Sequence, residues 1–202
     1  MKLEDTITVE LVVRDRRCVC VGGCDEVAYK VEKLVRSGAR VEVYAERSAL
    51  SPRAARAIDD GLVMLVERAP KPDEIAGAAV VFVSPEEEAL GASLAATARD
   101  NGTLVCTLDR PAASTFINPG SADVSGLRVT VASGGLAPAL VRRLREDLEL
   151  ILGAPELGLF VRRLGELRES LPRGARAEAL REKVAGFRLE GRLVFPAWWD
   201  EA

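Results

Sequence analysis

Asp109, which closes an apolar run, and the Ser133-Gly134-Gly135 turn ahead of Pro138 are the residues best suited by type and spacing to do chemistry. A carboxylate at the end of a buried strand can accept a proton, and a serine-glycine turn that opens a helix offers backbone N–H groups to an anion. A second glycine turn, Gly22-Gly23-Cys24-Asp25-Glu26-Val27-Ala28, follows the first strong apolar run, where a phosphate-cradling loop belongs. The 202 residues include no histidine, so any proton transfer falls to Asp, Glu, Lys, Tyr or Cys.

The elements that must position these groups alternate short apolar runs with amphipathic helices, the pattern of a parallel α/β sheet. Strands are expected at residues 17–21, 40–45, 62–66, 78–83 and 103–108, with an earlier edge strand at 7–13. Val27, Val31 and Leu34 repeat at helical spacing and predict a helix over 25–37, stopped by Gly38. Ser51-Pro52 caps and opens a second helix, and a third is expected over 86–101. A further strand is expected at 128–132. The helix after Pro138 is expected to bury Leu140, Leu144, Leu148 and Ile151 and to leave Arg142, Arg143 and Arg145 partly free to face an anion, with a solvated basic face the favoured account of the individual arginines. From Leu157 onward the chain reads as helical with a stripe of Leu159, Phe160, Leu164 and Leu167, and Pro196-Ala197-Trp198-Trp199 reads as a docked terminal anchor.

Composition narrows the class. With 48% hydrophobic, 29% charged and 4% aromatic residues, the chain is an ordinary globular one. No apolar run approaches bilayer length and the amino terminus lacks a signal-peptide pattern, so no membrane association and a cytoplasmic location are expected. A net charge of −3 cannot steer a polyanion, and nucleic acid is not an expected partner. Cys18, Cys20 and Cys24 have a spacing that a metal site can use, but a cysteine in a strand acts as a small hydrophobe; the core reading is favoured and no resident metal is expected.

The stretches Thr-Leu-Asp-Arg-Pro-Ala-Ala-Ser-Thr-Phe-Ile-Asn-Pro (107–119) and Val-Thr-Val-Ala-Ser-Gly-Gly-Leu-Ala-Pro (129–138) resemble the precorrin-2 dehydrogenase family, the amino-terminal module of siroheme synthases. The resemblance implies an α/β fold, a Rossmann-like parallel sheet followed by a small dimerisation region and a helical carboxyl-terminal region. The boundaries are 1–112 for the NAD-binding domain, 113–152 for the dimerisation and tetrapyrrole-site region, and 153–202 for the helical tail. It implies NAD-dependent oxidation of precorrin-2 to sirohydrochlorin in the synthesis of siroheme or a related tetrapyrrole, by a homodimer, with Asp109 as general base. Some family members also act as ferrochelatases, with ferrous iron as a substrate. Phe116, Asn118, Pro119, Ser133, Gly134 and Gly135 would then meet the tetrapyrrole. Gly22, Gly23, Cys24, Asp25, Glu26, Val27, Ala45, Glu46, Ser84 and Glu86 would meet the cofactor, Glu46 holding the ribose hydroxyls and favouring NAD over NADP.

The chain departs from the family pattern at two places. Cys24 occupies the glycine of closest pyrophosphate approach when no gap is allowed, and Asp25 occupies it when Val27-Ala28 is matched to the family's Val-Ala step. Ser84-Pro85-Glu86-Glu87-Glu88 stands for the family's Ala-Thr-Asp-Asp, with Gly91 near its Asn. A tight turn that binds nothing and an acidic helix start account for the same residues. Two other functions therefore stand beside the dehydrogenase: a chelatase-only enzyme with a degenerate NAD site, and a non-catalytic tetrapyrrole-binding or sensory protein.

Overall fold

A computed structural model describes residues 3–195. Its first half runs β1 (Arg17–Val21), α1 (Asp25–Arg36), β2 (Arg40–Tyr44), α2 (Pro52–Asp59), β3 (Val63–Val66), β4 (Val81–Val83), α3 (Glu88–Asn101) and β5 (Val105–Thr107). The five strands pair in parallel in the order β3-β2-β1-β4-β5. Growth of the sheet reverses between β1 and β4, so the crevice at their carboxyl ends, marked by Gly22 and Ser84, is where such a sheet receives ligands.

Burial on both faces explains why β1 is so apolar. Cys18 and Cys20 pack with Val27, Val31 and Leu34 of α1 and with Phe82, while Val19 and Val21 pack on the other side with Leu94, Ala95 and Ala98 of α3. Burial pushes both thiols upward, so they serve as neutral apolar groups. Among the described residues no group of three or more His, Cys, Asp or Glu side chains could hold a metal ion.

Residues 7–13 correct the sequence expectation, because they form no strand. Ile7, Val9 and Val12 are exposed, and the chain enters the sheet through a turn in which the Asp15 N–H donates to the Gly38 carbonyl. The reason is topological: β1 already has neighbours on both sides, and residues 7–13 reach neither sheet edge.

Two helical glycines differ sharply in what they do. Gly91 seats α3 on β5 so closely that a Cβ there would collide with the Thr107 side chain, whereas Gly165, inside α5 (Pro155–Ser170), faces open space. Gly165→Ala is expected to stabilise the protein by ~0.5–1 kcal/mol and Gly91→Ala to cost ~1–3 kcal/mol, measured as opposite displacements of the urea midpoint. Equal effects of the two changes would refute the close-packing account.

The chain divides into two compact units, one holding residues up to Pro119 with Gly134–Leu136, the other Gly120–Ser133 and the chain from Ala137 onward. In the second unit, β6 (Gly120–Val124) and β7 (Leu127–Val131) form an antiparallel hairpin turned by Ser125 and Gly126, both at positive φ. It also holds α4 (Pro138–Leu152), α5 and α6 (Arg176–Val184), with Phe160 stacked on Phe187 at 5.7 Å. Leu144 and Leu148 of α4 are half-buried, but Leu140 and Ile151, expected inside, are exposed, since a two-stranded hairpin is wide enough to cover one stripe of the helix. Residues 196–199, read from the sequence as an anchor, lie outside the described residues. No helix among the described residues is long and apolar enough to cross a membrane.

Candidate functional site

The glycine turn is built by packing as much as by conformation. Gly22 has φ of +99°, donates its N–H to the Tyr44 carbonyl at 2.8 Å, and leaves room for Ser84, whose Cβ would stand 2.5 Å from a Cβ on residue 22. Gly23 accepts a 2.7 Å hydrogen bond from the Ser51 N–H, and a Cβ on it would collide with the Ala49 carbonyl. The loop after β2 therefore lies directly against the turn. Cys24 caps α1 without a side-chain capping bond; its φ of −71° needs no glycine, and its Sγ lies 3.4 Å from the Ser84 hydroxyl. The thiol is thus turned onto β4. Asp25 and Glu26 are exposed in the first turn of α1, while Val27 is buried as a packing residue.

The other strand ends complete this side of the sheet. Ala45 is buried and its N–H donates to the Val66 carbonyl at 3.2 Å; Glu46 follows it, exposed, at the start of a single turn over Arg47–Ala49. Ser84 is buried, donates its N–H to the Val21 carbonyl at 2.8 Å and accepts from the Glu86 N–H at 3.4 Å, leaving Glu86 exposed.

Asp109 sits one residue past buried Leu108, exposed, with φ of +56°. Aspartate is among the few residues that accept this left-handed geometry. Hydrogen bonds from the neighbouring segment hold the turn in place. The Arg110 N–H donates to the Thr107 carbonyl at 3.1 Å, the Arg110 guanidinium pairs with Glu88 at 3.0 Å, and the Thr107 hydroxyl donates to the Ala113 carbonyl at 2.8 Å. The Ser114 hydroxyl accepts the Thr107 N–H at 3.0 Å and the Thr115 hydroxyl accepts the Val105 N–H at 2.8 Å. Thr115 in turn donates its own N–H to the Val105 carbonyl at 2.7 Å. These hydroxyls were invisible as site residues in the sequence. Phe116 then packs edge-on against Phe82, with ring centres 5.8 Å apart, ahead of exposed Asn118 and half-buried Pro119.

Gly22, Gly23, Cys24 and Ser84 are therefore brought into contact, and Asp109, Phe116, Asn118 and Pro119 belong to the same unit as that turn. Gly134 and Gly135 hold positive φ, 62° and 86°. Ser133 belongs to the second unit, and its hydroxyl accepts the Ala137 N–H at 3.0 Å, closing the turn ahead of α4. The α4 arginines lie on a solvated, self-paired helix face. Arg142, Arg143 and Arg145 pair with Glu146, Asp147 and Glu149 one helical turn later, at 3.0, 2.8 and 3.4 Å. That spacing was readable in the sequence as i,i+4 ion pairing.

Comparison with known proteins agrees with this geometry. A family described as "Putative NAD(P)-binding" matches residues 9–120. Siroheme synthase of Citrobacter koseri is 33% identical over 164 residues, which are 81% of this chain and 35% of that protein. The Methylobacillus flagellatus siroheme synthase is 31% identical over 150 residues, 74% of this chain and 32% of that protein. The chain thus spans about a third of the length of these relatives. A solved structure, "SirC, precorrin-2 dehydrogenase", has the same fold, with a TM-score of 0.73 and 18% identity over 89% of each chain. With its glycine turn at the β1–β4 switch point and a match that extends over residues 9–120, the chain belongs to this NAD(P)-binding family and is a relative of the siroheme synthases.

Proposed function

We propose that the chain is an NAD-dependent precorrin-2 dehydrogenase acting in the synthesis of siroheme or a related modified tetrapyrrole. The observation that carries this reading is Asp109, a carboxylate at the carboxyl end of β5 on a braced left-handed turn, in the unit that holds the glycine turn. The reaction removes one hydride and one proton from the macrocycle. Bound oxidised nicotinamide supplies the hydride acceptor. Asp109 takes the proton, in a chain that offers no histidine for the task. Gly22 and Gly23, with the uncapped amino end of α1, hold the pyrophosphate; the Cys24 thiol leaves this cradle open because it is turned onto Ser84.

Glu46 binds the ribose hydroxyls and selects NAD over NADP. The adjacent Arg47 lies 3.7 Å from both Asp59 and Glu67, which leaves it poorly placed to receive a 2′-phosphate. Val27, Ala45, Ser84 and Glu86 shape the cofactor side, and Asp25 and Glu26 border the pyrophosphate. Phe116, Asn118, Pro119, Ser133, Gly134 and Gly135 meet the tetrapyrrole. In this reading residues 1–112 bind NAD, residues 113–152 form the dimer and tetrapyrrole region, and residues 153–202 form the tail of a cytoplasmic homodimer. Ferrous iron enters as a substrate if chelation is a second step.

Calorimetric titration with NAD⁺ and NADP⁺, followed by precorrin-2 oxidation read by absorbance, tests the proposal. NAD⁺ is expected to bind at least ~10-fold more tightly than NADP⁺ and to support turnover. Iron insertion into sirohydrochlorin without any NAD⁺ binding would replace it with the chelatase, and tetrapyrrole binding without either reaction would replace it with the sensor.

A further inference from the structure

Lys30 is a cation that makes no ion pair among the described residues of its unit. Arg17 closes on Glu42 at 2.6 Å, Arg53 on Glu32 at 2.7 Å and Arg68 on Glu74 at 2.6 Å. Lys30 is half-buried, and among the described residues no carboxylate comes within ion-pairing distance of it. Its ammonium lies instead 5.5 Å from the centre of the Phe82 ring and 5.4 Å from that of Tyr29. A cation held against aromatic faces and partly stripped of water keeps a strong unspent attraction for an anion.

The surroundings show where that attraction acts. Cys20, Phe82 and Cys106 are register partners across β1, β4 and β5. Phe82 carries Phe116 on its edge, and Asp109 stands three residues beyond Cys106. The groups that act electrostatically on Lys30 are Cys20 from β1, Cys106 and Asp109 from β5 and its end, and Lys33 from its own helix. Burial pushes the ammonium downward and both thiols upward, so the thiols serve as apolar neighbours, and Asp109 is the one carboxylate in this set.

We propose that Lys30 is a substrate-binding residue that receives one carboxylate arm of a polycarboxylate tetrapyrrole, on the side of the sheet where Phe116 and Asp109 lie. The inference rests on the proposed function and deepens it. A carboxylate arm fixed at Lys30 sets the rotation of the macrocycle, and with it which ring carbon meets Asp109. Lys30 thereby selects among tetrapyrroles that differ in their acidic arms.

The test uses uroporphyrin, an octacarboxylate porphyrin, as fluorescent probe, with NAD⁺ titrated on the same samples. Lys30→Met keeps the stem and removes the charge; it is expected to weaken uroporphyrin binding about 10-fold and to reduce the salt dependence of binding, with NAD⁺ affinity unchanged. Lys30→Arg is expected to restore most of the affinity. Should the methionine variant fail to fold, Lys30→Gln takes its place. Wild-type affinity for uroporphyrin in the uncharged variant overturns the role of Lys30 and leaves the dehydrogenase reading standing. Absence of uroporphyrin binding in the unaltered protein overturns the Lys30 proposal, whereas the dehydrogenase reading falls separately, if NAD⁺ binding and precorrin-2 turnover are absent.

Discussion

Replacing Asp109 by asparagine is expected to lower precorrin-2 oxidation by about 10²- to 10⁴-fold while leaving NAD⁺ binding intact. Asparagine is the informative choice because it keeps the shape of the side chain and tolerates the left-handed φ of +56°, so the turn survives and the carboxylate alone is removed. Asp109→Ala confounds the two, since alanine pays roughly 1–2 kcal/mol to adopt that conformation. The comparison of the two variants separates chemistry from strain: both lose turnover, and only the alanine variant loses stability, with a melting temperature lower by about 2–8 °C. Retention of more than a tenth of the turnover in Asp109→Asn would show that the proton leaves by another route.

Gly22→Ala is expected to have the largest effect on both stability and cofactor affinity. The new Cβ meets two independent obstacles, a φ of +99° and a Ser84 Cβ at 2.5 Å. Strain and overpacking together cost about 3–5 kcal/mol, which in a chain of this length lowers the melting temperature by about 6–20 °C. The steric half has a specific partner. Ser84→Gly in the Gly22→Ala background removes that partner and is expected to return about 1–2 kcal/mol, whereas in the wild-type background it returns nothing. Strict additivity in this cycle would disprove the contact as the cause.

Much of this arrangement could be read from the residues themselves. The sheet strands and α1 announce themselves because burial on both faces demands near-continuous apolar runs, and Val27, Val31 and Leu34 mark a helix stripe. Asp109 was legible because Asn101-Gly102 and Arg110-Pro111 bracket its strand. The direction of the Cys24 side chain was not, since it depends on Ser84, 60 residues away, and on a turn whose course Gly23 owes to Ala49 and Ser51. β6 escaped notice because Gly-Ser-Ala-Asp-Val has almost no apolar pattern and is held by its partner strand. Residues 7–13 misled for the opposite reason: their β-rich composition says nothing of whether a sheet edge is within reach.

The hydroxyls that brace the Asp109 turn also settle a matter of self-protection. β5 is an outer strand, and its outward N–H and C=O groups at residues 105 and 107 would otherwise form a template for another chain. Ser114, Thr115 and Arg110 occupy all four of them. Fibrillar growth or domain exchange along β5 is therefore opposed by the same residues that hold the Asp109 turn, and replacing Ser114 and Thr115 to loosen that turn would expose an aggregation-prone flank.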